Sequence, residues 1–128
     1  MHAKWTRRLA LAPALLAAAL AWGTAARADD IPLVTGEHWT RSSEQVKRSY
    51  LIGVANMLQV ETAYHAGNAP SDAQSLVPRA ARGLRGQTLD TVRERLDRWY
   101  AANPGRLQRP VVETIWFELI MPGLQSQR

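Results

Sequence analysis

Cysteine is absent from all 128 residues. That excludes disulfides, a thiolate nucleophile, Cys-ligated zinc, iron–sulfur clusters and thioether-linked haem. It also excludes a lipid anchor, which needs a Cys directly behind an export signal. The chain has no Gly-x-Ser-x-Gly nucleophile elbow and no glycine-rich phosphate loop. Histidine is scarce: beyond His2 only His38 and His65 occur. Strand-like alternation and internal repeats are missing too.

What is present begins with an export pattern. Lys4, Arg7 and Arg8 precede an apolar run from Leu9 to Ala21, broken only by Pro13. Ala26-Arg27-Ala28 then sets small residues at −3 and −1 of a cut before Asp29. The run is shorter than the ~20 residues of a membrane-spanning helix. Arg7-Arg8 opens the twin-arginine route, although Leu9 and Ala10 match that signal poorly. The reading is a signal peptide over 1–28 and one domain over 29–128, working in the bacterial periplasm or outside the cell. It implies no membrane span after cleavage.

Removing the signal changes the charge. The whole chain carries 16 Lys+Arg against 11 Asp+Glu, a net of +5. Lys4, Arg7, Arg8 and Arg27 lie in the signal, which holds no acidic residue, so 12 basic and 11 acidic residues remain, a net of +1. Nucleic-acid binding depends on a surplus of Lys and Arg, so this class is not expected.

The mature part reads as all-α, a small bundle of three main helices with one or two short ones. Residues 29–41 carry no sustained period and read as irregular. Ser42 or Ser43 caps a helix running to about Tyr64, with apolar Val46, Tyr50, Val54, Met57, Leu58 and Val60. Gly53 inside it lowers helix propensity by about 1 kcal/mol relative to Ala, which close packing of another backbone would offset. Residues 71–86 form a short helix, interrupted by Pro78, or an irregular arm. Thr88 or Asp90 begins the next helix, with Leu89, Val92, Leu96, Trp99 and Tyr100 as its apolar stripe. Arg93 with Asp97 and Glu94 with Arg98 are expected as pairs along its wet side. After Asn103-Pro104-Gly105, a last helix opens at Pro110, is apolar nearly all round, and stops at Pro122-Gly123.

Candidate sites are few. Arg79, Arg82 and Arg85 recur every third residue and would form a basic ridge for a protein partner, with Arg93 extending it. Trp99 and Trp116 sit on apolar stripes as core anchors. Trp39 is either a hydrophobic staple or an exposed partner contact. His38, Glu61 and His65 are the one set that offers a metal site. Asn56 and Gln59 suit a helix–helix or homodimer interface. No catalytic residues and no cofactor are expected.

Two patterns carry a resemblance. The first is Gly36-x-x-Trp39-x-x-Ser42-x-Glu44-x-x-Lys47-x-x-Tyr50-Leu51-x-Gly53-Val54. The second joins Thr88-Leu89-Asp90-x-Val92, Tyr100-x-x-Asn103-Pro104 and Pro110-Val111-Val112. Together they resemble small periplasmic proteins of the Rap/Tai immunity type, which neutralise cell-wall-degrading effectors of type VI secretion. The resemblance implies a periplasmic protein-binding protein without catalytic residues. Members of that type often carry a disulfide, and this chain departs from them there.

Overall fold

The computed structural model describes residues 32–128, which form one compact unit. The expected export signal over 1–28 and its expected cut site lie outside the described residues. The described residues are all-α. Three long helical segments are α2 (Glu44–Tyr64), α4 (Leu89–Ala102) and a last helix built from α5 (Val111–Thr114), a π-helical stretch (Ile115–Ile120) and α6 (Met121–Gln125). Two short helices, α1 (Gly36–Arg41) and α3 (Val77–Gly83), complete the bundle.

α1 corrects the expectation of an irregular entry. Six residues are too few to show a helical period, and the helix is held from outside. Gly36 and Glu37 donate their backbone N–H groups to the carbonyls of Arg109 (3.1 Å) and Leu107 (2.9 Å), occupying donors that a helix start leaves open. Thr35 caps the turn reciprocally with His38, whose Nδ1 lies 2.9 Å from the threonine hydroxyl. α1 thus docks on the turn that feeds the last helix. Gly36 is required there, because a Cβ would strike the Tyr100 ring.

α2 starts at Ser43, whose hydroxyl accepts from the Val46 N–H. α4 starts at Thr88, boxed with Thr91. α3 differs from the expected break at Pro78. The helix begins at Val77, so Pro78 occupies the first turn, where its missing N–H has no partner to lose.

The last helix does not stop at Pro122-Gly123. It passes through Pro122 because the preceding stretch is π-helical, with Met121 donating its N–H to the Trp116 carbonyl. Pro122 has no N–H for the Glu118 carbonyl, and the Arg95 guanidinium donates to that oxygen at 3.3 Å. Gly123 then meets Gly83 of α3 so closely that a Cβ would collide with the Gly83 carbonyl. Two glycines therefore bring the backbones of α3 and α6 into contact.

The core combines Trp39, Leu51, Val92, Leu96, Tyr100, Val111, Ile115, Leu119 and Ile120. Of the tryptophans, Trp39 is the one at the centre of the core, while Trp99 and Trp116 pack against its edge. Trp39 is 1% exposed and is the largest fully buried side chain. Trp99 and Trp116 are only half-buried, and arginines cover their rings: Arg106 and Arg109 over Trp99, Arg79 over Trp116. Gly53 of α2 is also not as expected, because no atom lies within 4 Å of the Cβ it lacks.

Gly36→Ala and Gly123→Ala should each lower the free energy of unfolding by about 1–3 kcal/mol, the usual cost of overpacking. Urea unfolding of the two variants against the parent checks this. Unchanged midpoints would mean that the close approaches are not tight.

Candidate functional site

A groove opens between α2, α3 and the last helix. Leu58, Ala80, Leu84 and Ile120 line it, with Leu76, Val112 and Phe117 more exposed around it. Its volume is about 470 Å³. Glu113 is the single charged residue in its wall, and no histidine, hydroxyl or amide side chain lines it. Such a surface gains free energy by covering apolar area and presents no nucleophile–base pair.

The groove exists because the last helix is apolar on more sides than the core can cover. Val111, Ile115, Leu119 and Ile120 turn inward and are buried, whereas Val112 and Phe117 stay 42% and 54% exposed. The sequence hint is the all-round apolar character of this helix, which by itself points to burial on every side. A second cleft, of about 380 Å³, lies between α2 and α4 and shares Val54, Leu58, Leu84 and Ile115 with the groove. Asn56 and Gln59 are in that second cleft, together with Gln87 and Thr88.

Trp39 is buried rather than exposed for a partner. Its indole N–H donates to Asp97 Oδ1 at 2.8 Å, and its ring meets Tyr50 edge-on. Lys47 Nζ donates to the same oxygen at 2.9 Å and to Glu44 at 3.3 Å. Asp97 is therefore tied to α1 and α2 rather than to Arg93, which reaches Glu44 of α2 at 2.9 Å. The expected Glu94–Arg98 pair is present, long, at 3.8 Å.

The three arginines do not form a free ridge. Arg79 lies over Trp116, with 5.1 Å from its guanidinium carbon to the ring centre, and Arg82 is paired to Asp72 at 2.7 Å. Arg85 falls beyond the end of α3, in the turn. Arg93 belongs to the α2–α4 contact. The residues named for a metal do not converge either. His38 is held in the α1 cap, and Glu61 accepts from Ser75 at 2.7 Å. Glu61 and His65 share a cleft with Val77 and Pro78, and His38 is not part of it. Among the described residues no three His, Asp or Glu side chains are grouped to hold a metal. The i,i+4 spacing of Glu61 and His65 was legible, but the third ligand sits on another helix.

Three groups shift their titration upward. Burial pulls Lys47 down, but Asp97 and Glu44 outweigh it and hold its ammonium above the ordinary 10.5. Burial pushes up the phenols of Tyr50 and Tyr100, and the Tyr100 hydroxyl also bonds the Arg109 carbonyl at 3.0 Å and Thr114 at 2.9 Å.

No protein family model, curated protein or solved structure matches the chain.

Each upward shift means that the folded protein holds its proton more tightly than the unfolded chain. Stability is then complete below the unfolded values, near 10.0 for the tyrosines and 10.5 for Lys47, and declines as pH rises through the folded ones. Urea midpoints should therefore fall above about pH 10. Separately, Asp97→Ala should cost about 2–3 kcal/mol at neutral pH, since it orphans the buried Trp39 N–H and leaves the Lys47 ammonium with the longer Glu44 contact alone. Asp90→Ala, which removes an exposed pair with Arg48, should cost less than about 1 kcal/mol. Equal costs would contradict the central place given to Asp97.

Proposed function

We propose that this chain is an exported, non-catalytic protein-binding module that seats an apolar segment of a partner in the groove between α2, α3 and the last helix. The observation that carries the reading is the groove wall: apolar throughout, with Glu113 as its single charge. Interface cores have this composition, depleted of charge and enriched in aromatic residues. Phe117 and the half-buried Trp116 supply the aromatic part. The near-neutral mature charge agrees with a protein partner rather than a nucleic acid. The resemblance of the two sequence patterns to periplasmic immunity proteins suggests the mode of action, an inhibitor or immunity protein that occludes its partner. Arg79 and Arg82 are engaged within the fold by Trp116 and Asp72, which favours the groove over them as the partner contact.

Phe117→Asp and Leu76→Asp test this, because both side chains are more than half exposed; circular dichroism and urea unfolding check that each variant keeps the fold. A protein recovered on the parent from periplasmic extract, then purified and titrated, should bind each variant at least about tenfold more weakly, as each covered side chain contributes ~1.5–3 kcal/mol. Arg85→Glu should bind like the parent. Unchanged affinity in both aspartate variants, or recovery of no partner, would overturn the reading.

A further inference from the structure

A second apolar surface runs the length of α2, away from the groove. Val46, Tyr50, Gly53, Met57, Val60 and Tyr64 follow one another at spacings of 4, 3, 4, 3 and 4. At 3.6 residues per turn they share a strip about 80° wide. This is the seam pattern of two helices that pack along their length. None of the six lines the groove.

Within the fold the seam is largely uncovered. Val46, Met57, Val60 and Tyr64 are 55%, 69%, 62% and 83% exposed. Tyr50 is half-buried against Trp39, and Gly53 is exposed with open space where a side chain would be. From Ser49 to Val60 the helix has no charged residue. A mid-helix glycine and four exposed apolar side chains in one line have no intramolecular explanation.

We infer that α2 pairs through this seam with α2 of a second copy of the chain, antiparallel, about a twofold axis. The order of residues selects both the partner and the direction. Antiparallel pairing about the seam's midpoint sets Gly53 against Met57 of the second copy, Tyr50 against Val60, and Val46 against Tyr64. Every pair joins a small residue to a large one, so the two ridges interlock. Parallel pairing would set glycine on glycine and tyrosine on tyrosine, leaving a gap at one level and a clash at the next. Antiparallel helices also oppose their dipoles favourably. The uncharged seam meets its own copy without like-charge repulsion.

The area is of the right order. At roughly 150–250 Å² for a tyrosine and roughly 100 Å² for each valine or methionine side chain, the four exposed residues present roughly 300–400 Å² of mainly apolar surface per copy. A standard interface buries ~800 Å² per partner, of which about 65% is non-polar in homodimers. The four residues therefore supply more than half of the apolar share of one such interface, and Tyr50 adds to it.

Sedimentation equilibrium of the protein expressed from its full-length sequence reads the outcome. A dimer is expected. Gly53→Glu should convert it to a monomer while circular dichroism shows helix content equal to or above the parent's, because the Cβ meets nothing within the fold and Glu is the better helix former. Met57→Glu should do the same. Since the chain has no cysteine, orientation is read by mixing Gly53→Cys with Met57→Cys under mild oxidation. A disulfide joining the two different variants should exceed either self-pairing. A monomer at about 100 μM, a dimer that survives both glutamate variants, or dominant self-pairing of Gly53→Cys would each overturn the inference. None of these results depends on a partner in the groove, so the two readings fail separately.

Discussion

The structure turns on one carboxylate. Asp97 Oδ1 accepts from the Trp39 indole and from the Lys47 ammonium, so one atom on α4 fixes α1 and α2 together. Lys47 is 8% exposed, and a charge so placed needs its partners. The partners here also bring Trp39 into the centre of the core, where its ring meets Tyr50 and lies 5.6 Å from the lysine nitrogen. In a chain without disulfides, this polar knot and the apolar packing around it do the joining.

Around the knot, three glycines control how closely elements approach. Gly36 admits the Tyr100 ring, and Gly83 with Gly123 lets α3 touch α6. The π-helical stretch serves the same end. It carries the last helix past Pro122, so that Gly123 arrives opposite Gly83. This packing covers one side of the last helix and leaves Val112 and Phe117 outside, and the groove follows from that geometry. Gly53 belongs to a different class, because nothing in its own chain takes the space it leaves.

The two apolar surfaces divide the work we propose. The groove is concave and suits a segment of another protein. The α2 seam is a straight ridge whose order of small and large residues is complementary to itself. A twofold dimer built on the seam would carry two grooves, one on each copy, and so engage two partners or one repeated one.

The local level was readable from residues alone. Caps at Ser43 and Thr88, the apolar stripe of α4, the extent of α2 and the all-α class depend on contacts within a few positions, which spacing records. Even the 4-3 order of the α2 seam is there, although it says nothing about what covers it. Tertiary structure decided the rest. α1 is helical because carbonyls more than 60 residues away accept its first N–H groups. Asp97 leaves its i−4 neighbour Arg93 because Lys47 and Trp39 offer a drier, better-satisfied pairing across helices. Trp39, which precedes the first obvious helix, is fully buried, while Trp99 and Trp116, on apolar stripes, are only half-buried at the core's edge under arginines. A helical stripe states only which residues share a face. Which face meets another element depends on how the helices cross, and here that was set by one carboxylate and by glycines that let backbones touch.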